Sequence, residues 1–487
     1  MARHRGRERT ASALCTGVLA LLVIALLLLL PLPGGSNREW AVQLLVDGSA
    51  LLALLAAVGL IVGLLPGRFD RLQISTIMVW LLWLAWIAVQ LVPIDAEQLR
   101  LLAPAAYAAH AAAAEWAGVP LHASLSVDIE ATRAHLAESA AYFCIFLTTL
   151  WCVRTPRTRG WLVHGLILGA VIQALLGAGM TLSGLEIGPF GRKTDYLGSA
   201  TGTFINRNHF AGYLEIGGSL AVGLLLARVA AATRVTDWRG AVRAAINLVL
   251  GHAPLLRIGL LVIVAGLVVS RSRMGNIAFF TALSVGGVLF ILRNRGNPLR
   301  SLMFLVLVMV IDLAIVGGYV GLDALRERLQ PQLLMADQRL ATFPDLQRMA
   351  AHYLPFGSGL GSFAVAYPQF RSTSVFASNE HAHNDPLQFL IETGVPGVVL
   401  LALLVALPLA RALQVMRQRR DPQVLGIALG SALAVFSIGV HGLADFNLQI
   451  PANAATIVAL LALMLGLPSE SRRQRRRAGE SAEQPPD

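Results

Sequence analysis

Residues 11–31, ASALCTGVLALLVIALLLLLP, contain no charged side chain and are long enough to cross a lipid bilayer as one helix. They follow the basic segment RHRGRER at 3–9 and in this respect resemble a signal peptide. No clear small-residue cleavage site follows, whereas many similar apolar stretches do. We therefore predict that 11–31 is a retained first membrane span.

The rest of the chain is equally apolar. It has 487 residues, of which 56% are hydrophobic and 14% charged, whereas a soluble domain has roughly a quarter of its residues charged. We predict an all-α polytopic membrane protein with about twelve transmembrane helices. The expected spans are 11–31, 44–65, 73–93, 135–153, 161–183, 209–228, 258–270, 275–292, 301–320, 386–410, 423–440 and 452–467.

The net charge of +11 does not indicate nucleic-acid binding, because the basic residues form short blocks between apolar runs. Of the 39 lysines and arginines, 26 lie in alternate inter-span segments, starting with the N-terminal one. This bias predicts cytoplasmic N- and C-termini. The larger outer loops are then 94–134, 184–208 and 321–385. All three cysteines lie in apolar runs, which argues against a disulfide framework.

This pattern divides the chain into three parts. Residues 1–134 hold the first three spans and the first outer loop, and 135–467 form a transmembrane core that includes the loop 321–385. The polar, basic segment 468–487 is expected to be a disordered cytoplasmic tail.

The segment TGTFINRNHFAGYLEIGG, 201–218, has features of an anion site. Asn208 is a suitable cap for a helix beginning near His209. Arg207 would then lie beside a helix N-terminus, which favours phosphate oxygens. A snorkelling interfacial arginine is the equally weighted alternative. Glu215, deeper in the span, is either a functional intramembrane acid or a partner for a neighbouring helix.

Two further segments place arginine or aromatic side chains on the outer side. In VVSRSRMGN, 268–276, Arg271 and Arg273 need an acidic partner, which is a carboxylate, a lipid phosphate or a substrate phosphate. In GSGLGSF, 357–363, the lysine of a Walker loop is missing, so its glycines indicate a tight return. Tyr353 and Tyr367 suit either sugar stacking or interfacial anchoring.

The segment NEHAHNDPLQFLIETG, 379–394, precedes a long apolar run. Asp385, followed by proline, suits an N-cap. His381 and His383 then lie just outside the helix. A metal site is weakly indicated because no second ligand cluster accompanies them. A neutral histidine acting as general base is the favoured reading. Glu392 would orient a partner or pair with another span.

The segment HGLADFNLQIPAN, 441–453, adds a carboxylate on the outer side. Asp445 would position an arginine or lie in a solvated turn. Asp312 is a second lone acid within an apolar run, and the sequence suggests no role for it.

Together these segments resemble the O-antigen ligase family, also called the Wzy-C or O-antigen polymerase-related superfamily. The resemblance covers about 195–465 and rests on GTFINRNHFAGYLE, SRSRMGN, LPFGSGLGSFAVAYPQFR, EHAHNDPLQFLIETGVPG and HGLADFNLQIPAN. It implies a metal-independent glycosyltransferase of GT-C-type architecture with a large periplasmic loop and no cofactor. Such an enzyme takes a glycan from undecaprenyl-diphosphate at the periplasmic face of the bacterial inner membrane. The acceptor is lipid A core, a protein hydroxyl or another glycan, so ligase and polymerase both stay open.

By the same resemblance, His383 is the loop histidine that acts as base or orients the acceptor. Arg207 corresponds to the first diphosphate-binding arginine, and Arg271 is favoured over Arg273 as the second. Supporting positions are Asn208, His209, Arg339, His381, Asn384, Glu392 and Asp445. Expected partners are membrane lipids and polysaccharide assembly proteins. The alternatives are a lipid-linked oligosaccharide transporter or flippase, favoured only by Glu215 and Asp312, and a non-catalytic component of an assembly complex.

Overall fold

The computed structural model describes residues 2–121, 123–188, 191–231, 254–293, 301–303, 305–310, 338–372 and 380–468, with side chains for all of these except 2–9, 293 and 338–340. These residues are mostly helical. A small antiparallel hairpin pairs β1 (Ile187–Gly188) with β2 (Gly191–Arg192).

The helices, in chain order, are α1 (Ala2–Leu29), α2 (Glu39–Ile61), α3 (Arg71–Leu91), α4 (Ala96–Leu102), α5 (Pro104–Ala117), α6 (Ile129–Cys152), α7 (Pro156–Leu182), α8 (Arg207–Ala231), α9 (Pro254–Val269), α10 (Arg273–Arg293), α11 (Gln338–Tyr353), α12 (Phe363–Ala366), α13 (Asp385–Gln418), α14 (Pro422–His441) and α15 (Pro451–Leu465). There are also two single turns of 3-10 helix, Tyr367–Gln369 and Asn447–Gln449.

Eight of the described helices are long and apolar enough to cross a membrane, namely α1, α2, α3, α7, α8, α10, α13 and α14. The all-α polytopic architecture therefore agrees with the prediction, but the count of twelve spans is not confirmed. The helices α9 and α15 are apolar but shorter, with 16 and 15 residues. The predicted span 135–153 lies in α6, whose first half carries Glu130, Arg133 and Glu138. Residues 311–320 of another predicted span lie outside the described residues.

The helices α8 and α14 form the centre of the bundle. In their most apolar 18-residue windows, 83% of α8 and 72% of α14 is buried, against 22% of α3. Their backbones touch through glycines, because a Cβ atom added to Gly223 would lie 2.3 Å from the backbone nitrogen of Gly430. Small residues at such contacts are typical of membrane helices, since they allow close van der Waals packing. The peripheral helices therefore shield this central pair from lipid.

The inter-helix segments meet at two opposite ends. At one end Arg411 Nη2 lies 2.7 Å from Asp70 Oδ2, and Trp151 Nε1 donates to the carbonyl of Pro66. At the other end, here called the loop-rich end, segments 31–36, 90–128, 184–206, 270–272, 354–363, 380–384 and 442–450 join one another through backbone and side-chain hydrogen bonds. The segments that the charge pattern assigned to the outside thus gather together.

Two predicted helix starts are wrong by one or two residues. The helix α8 begins at Arg207. Its capping side chain is that of Asn206, whose Oδ1 accepts from the backbone N–H of Asn208 at 2.8 Å. The helix α13 begins at Asp385, and the cap is Asn384, whose Oδ1 accepts from the N–H of Leu387 at 2.9 Å. In both places two residues of the Asn/Asp type lie within two positions of each other and are equally good caps by sequence. Tertiary contacts decide which one is used.

The glycines of 357–361 do form the predicted tight return. Gly357 has φ +85°, and a Cβ atom there would lie 2.4 Å from the carbonyl oxygen of Glu392. The return packs where α13 kinks at Gly394, which has φ +64°. The loop therefore approaches α13 more closely than any larger residue would allow.

Replacing Gly223 with alanine tests the central contact. The added methyl group would meet backbone atoms of α14, which move only if the helices separate. We expect G223A to lose about 1–3 kcal/mol of stability through overpacking. The thermal unfolding midpoint in detergent measures the loss.

Gly439→Ala is the matched control, because Gly439 lies on α14, the other helix of the contact, and a Cβ there has no neighbour within 4 Å. Equal midpoints for G223A and G439A would contradict the close contact.

Candidate functional site

Three histidine rings surround the ring of Phe446 at the loop-rich end. His381 stacks on it with a centroid distance of 4.4 Å. His209 and His383 meet it edge-on, at 4.5 and 4.7 Å. His209 is in the first turn of α8, Phe446 follows α14, and the other two histidines precede α13. The cluster thus joins three parts of the chain that are far apart in sequence.

Asp445 brings a buried carboxylate to two of these histidines. Its Oδ1 lies 3.5 Å from His209 Nε2 and 3.9 Å from His383 Nδ1. The Asp445 side chain is fully buried, while 26% of the His383 side chain is exposed. The sequence left two roles open for Asp445, positioning an arginine or lying in a solvated turn. Its burial contradicts the solvated turn, and these two contacts are with imidazoles. His383 therefore has a carboxylate near its Nδ1 atom, while part of its side chain is exposed to solvent.

The backbone of His383 is strained. Its φ is +51°, in the left-handed region that non-glycine residues rarely adopt. The next two residues are tied to the turn after α14. Asn384 Nδ2 donates to the carbonyl of Leu443, and the backbone N–H of Asp385 donates to that of Gly442, both at 2.8 Å. Such strain costs about 1–3 kcal/mol and clusters at functional sites.

His381 lies in a more enclosed place. Its Nδ1 is 3.2 Å from Gln388 Nε2, and Gln388 also accepts from the backbone N–H of Ala382. Gln388 in turn donates to Glu392 Oε1 at 3.2 Å, so Glu392 orients the residue that holds His381. Burial is the main cause that lowers the pKa of His381 to about 4, and the nearby His209 and His383 act in the same direction. His381 is thus neutral near pH 7, consistent with a structural role.

Arg207 and Arg271 flank the same loop. Arg207 Nη1 donates to Ser199 Oγ at 3.3 Å, and its guanidinium lies 5.4 Å from the ring centroid of Tyr196. Arg271 Nη1 lies beside Gly198, 3.7 Å from where a Cβ atom would be. The loop is fixed to the turn of Arg271, since the backbone N–H of Ala200 donates to the carbonyl of Val269.

Arg273 is exposed at the start of α10, and no described contact joins it to the loop 196–199. Lys193, for which the sequence suggested no role, does reach this loop. Its ammonium group donates to the carbonyl of Ser199 and to Glu186 Oε2 at 3.1 Å. The geometry thus groups Arg271, rather than Arg273, with Arg207.

Glu215 has partners on α14. Its Oε1 lies 2.6 Å from His441 Nδ1, and its Oε2 accepts from Ser437 Oγ at 2.6 Å. Glu215 and His441 are both fully buried. Of the two roles that the sequence left open, the structure supports the pairing with a neighbouring helix.

The suggested sugar-stacking or anchoring role of two tyrosines is wrong. Tyr353 and Tyr367 are buried in an apolar cluster, and Tyr367 stacks on Phe363 with centroids 5.1 Å apart. Their rings are therefore not available to a sugar or to lipid. The side chain of Arg339 and the whole of Asp312 lie outside the described residues.

Several residues of the site carried no sequence signal. Phe446 reads as an ordinary apolar residue, and Gln388 as a polar residue within a span. Asn453 is equally inconspicuous, although its Nδ2 donates to the carbonyl of His209 and to Asn447 Oδ1, both at 3.0 Å. Within the described ranges, no group of three or more His, Cys, Asp or Glu side chains is arranged to hold a metal ion.

The apolar bundle and the polar cluster at its loop-rich end define a polytopic membrane protein with one candidate reaction site. Residues 258–402 match the family model described as O-antigen ligase, Wzy_C. The predicted relationship is therefore confirmed for this part of the chain, which contains an O-antigen ligase, or Wzy-C, region at residues 258–402. No curated protein matches the chain. Members of the family are ligase- or polymerase-type glycosyltransferases of polysaccharide assembly.

The match includes Arg271 and His383 but ends before Asp445 and begins after Arg207 and His209. Contacts across the bundle bring these outer residues to the matched region.

The low pKa of His381 predicts acid sensitivity. Between about pH 6.5 and 4 the unfolded chain binds a proton at this residue that the folded protein excludes. The contribution of His381 to stability is thus complete above pH 6.5 and is lost as the pH falls towards 4. We expect His381→Gln to reduce the fall of the unfolding midpoint across this range. His164→Gln, at an exposed histidine on α7, is the control, and identical pH profiles for the two variants would refute the assignment.

Proposed function

We propose that the protein transfers a glycan from undecaprenyl-diphosphate to an acceptor hydroxyl at the periplasmic face of the bacterial inner membrane. The observation that carries this proposal is the arrangement at the start of α8. Arg207 and Arg271 flank one loop there, and the cluster around His383 lies against the same helix start. The positive-inside bias supports assigning the loop-rich end to the periplasm, with both chain termini in the cytoplasm.

The arginines are suited to the leaving group. Guanidinium groups bind phosphate oxygens through paired N–H donors. As the bond between the sugar and the diphosphate breaks, negative charge grows on the departing oxygen. Arg207 and Arg271 would stabilise that charge, which is a contribution made mainly in the transition state. Lys193, at the same loop, adds a third positive charge.

His383 is suited to accept the proton of the acceptor hydroxyl. Its Nδ1 faces Asp445, which favours the tautomer with the proton on Nδ1 and leaves Nε2 as the acceptor. In the transfer, the acceptor oxygen bonds to the anomeric carbon and the bond from that carbon to the phosphate oxygen breaks. The hydroxyl proton passes to Nε2 and then to water. A general base in this position typically contributes 10²–10⁴-fold.

The proposed reaction needs no metal or other cofactor. The donor carries its own leaving group, a lipid diphosphate, and the arginines supply the positive charge that a metal would otherwise provide. The proposal includes a GT-C-type architecture. The proposed acceptor is lipid A core, a protein or another glycan, and the proposed partners are polysaccharide assembly proteins.

The transporter alternative has lost one of its two supports. It depended on two lone acids in apolar runs, Glu215 and Asp312. Glu215 has partners in His441 and Ser437, and its burial is thereby explained without transport. Asp312 lies outside the described residues.

The direct test uses purified protein in lipid nanodiscs, supplied with lipid-linked glycan in a buffer containing EDTA. Lipid A core, a serine- or threonine-bearing peptide and a free glycan are offered in separate reactions. A product that joins glycan to one acceptor establishes the transfer and distinguishes ligase from polymerase. Absence of product with every acceptor would reject the proposal.

Replacing His383 with alanine should abolish transfer, with a loss of about 10²–10⁴-fold in kcat, because the acceptor hydroxyl loses its base. Product formation by folded protein in nanodiscs measures the effect. His164→Ala, which removes an exposed histidine of α7, should transfer normally. Full activity of H383A would remove the catalytic role.

Arg207→Ala should weaken binding of the lipid diphosphate, and Arg207→Lys should restore it only in part, because the planar fork is lost. The KM for the donor is the measurement. Arg133→Ala serves as control, since Arg133 is exposed and pairs with Glu130 on its own helix. Complete rescue by lysine would mean that charge alone matters at this position.

A further inference from the structure

We propose that the hydrogen-bonded pair of Glu215 and His441 is a positioning element for the transfer reaction. This inference rests on the proposed function. The pair lies inside the bundle, and neither residue has a place in the binding of the diphosphate or in the removal of the proton. Its effect is to fix the relative positions of the three elements that carry those groups.

Glu215 lies where three helices meet. It belongs to α8 and contacts His441 and Ser437 of α14 at 2.6 Å each. The start of α10 is also close, since a Cβ atom added to Gly275 would lie 3.2 Å from Glu215 Oε1. Each of these helices leads directly into the site. Arg207 and His209 begin α8, the turn of Arg271 precedes α10, and Asp445 follows α14.

His441 is the last residue of α14, so its position determines where the following turn begins. That turn supplies the carbonyl groups of Gly442 and Leu443 that hold the segment after His383. It also carries Asp445 and Phe446. A shift of His441 would therefore move the carboxylate beside His383 and the ring on which the three histidines pack.

The glycine contact between α8 and α14 does not replace this pair. Gly223 and Gly430 lie deeper in the bundle, two or more turns from Glu215 and His441 along their helices. They fix the separation of the helices at that depth but do not reach the end at which the site is built. The Glu215–His441 pair fixes the end at which the site is built.

Loss of the pair should lower kcat more than it changes the donor KM. Arg207 is held by Ser199 and Tyr196, which are remote from Glu215 in sequence and belong to the outer loop. The donor diphosphate should therefore still bind. A displacement of about 1 Å in a reacting group is enough to cost about 100-fold in rate, so we expect a fall in kcat of about 10- to 100-fold.

The experiment compares variants that break the pair with variants that keep its hydrogen bonds, in full-length protein in nanodiscs. Glu215→Leu and His441→Leu break the pair, whereas Glu215→Gln and His441→Asn retain donors and acceptors at similar positions. Ser431→Ala is the matched control. Ser431 is buried on α14, and its Oγ has no hydrogen-bond partner among the described residues. Thermal midpoints, kcat and donor KM are measured for each.

The proposal predicts that the leucine variants lose kcat with a donor KM within about threefold of wild type. The Gln and Asn variants should recover most of the rate, and S431A should match wild type. A folded leucine variant with wild-type kcat would overturn the proposal. So would failure of both leucine variants to fold, since the pair would then serve folding alone. If the wild-type protein itself transfers no glycan, the proposed function fails instead, and the two outcomes are distinct.

Discussion

The contact between α8 and α14 is the constraint on which the candidate site depends. Glycine backbones bring the two helices together within the bundle, and the pair of Glu215 and His441 joins them near the loop-rich end. His209 is therefore held against the turn that carries Asp445 and Phe446, and Arg207 lies at the same helix start. The segment of His383 is tied to that same turn through its backbone. The packing of this one helix pair thus determines the geometry of a site whose residues are far apart in the sequence.

The bilayer explains why the polar residues are gathered where they are. A polar group within the hydrocarbon must find a partner in the protein, as Glu215 does in His441 and Ser437. At the end of the bundle a polar group can also be hydrated, so it does not need a partner in the protein. Arginines, histidines and strained backbone can therefore lie there. The diphosphate of the proposed lipid-linked donor would lie at the membrane surface. The position of Arg207 and Arg271 therefore suits a donor that is itself anchored in the membrane.

The sequence predicted the parts of this arrangement that depend on local chemistry. Apolar runs located the helices, and the motifs around Arg207 and His383 identified side chains that do lie at one end. A partner for Glu215 on another helix was one of two stated alternatives. Tertiary information was needed for the rest. Nothing in the sequence distinguishes Gly223 from the other 44 glycines, places Phe446 among three imidazoles, or shows that Tyr353 and Tyr367 are buried. The choice of Asn384 over Asp385 as cap likewise depends on contacts with the turn after α14.

The central claim is that the loop-rich end binds the lipid diphosphate between Arg207 and Arg271. Photo-crosslinking with a polyprenyl diphosphate that bears a diazirine next to the phosphates tests it most directly, with labelled peptides identified by mass spectrometry. The account predicts labels within 193–207 and 268–275 that free undecaprenyl-diphosphate displaces. Displaceable labels confined to 64–70 and 153–159, at the opposite end of the bundle, would contradict it.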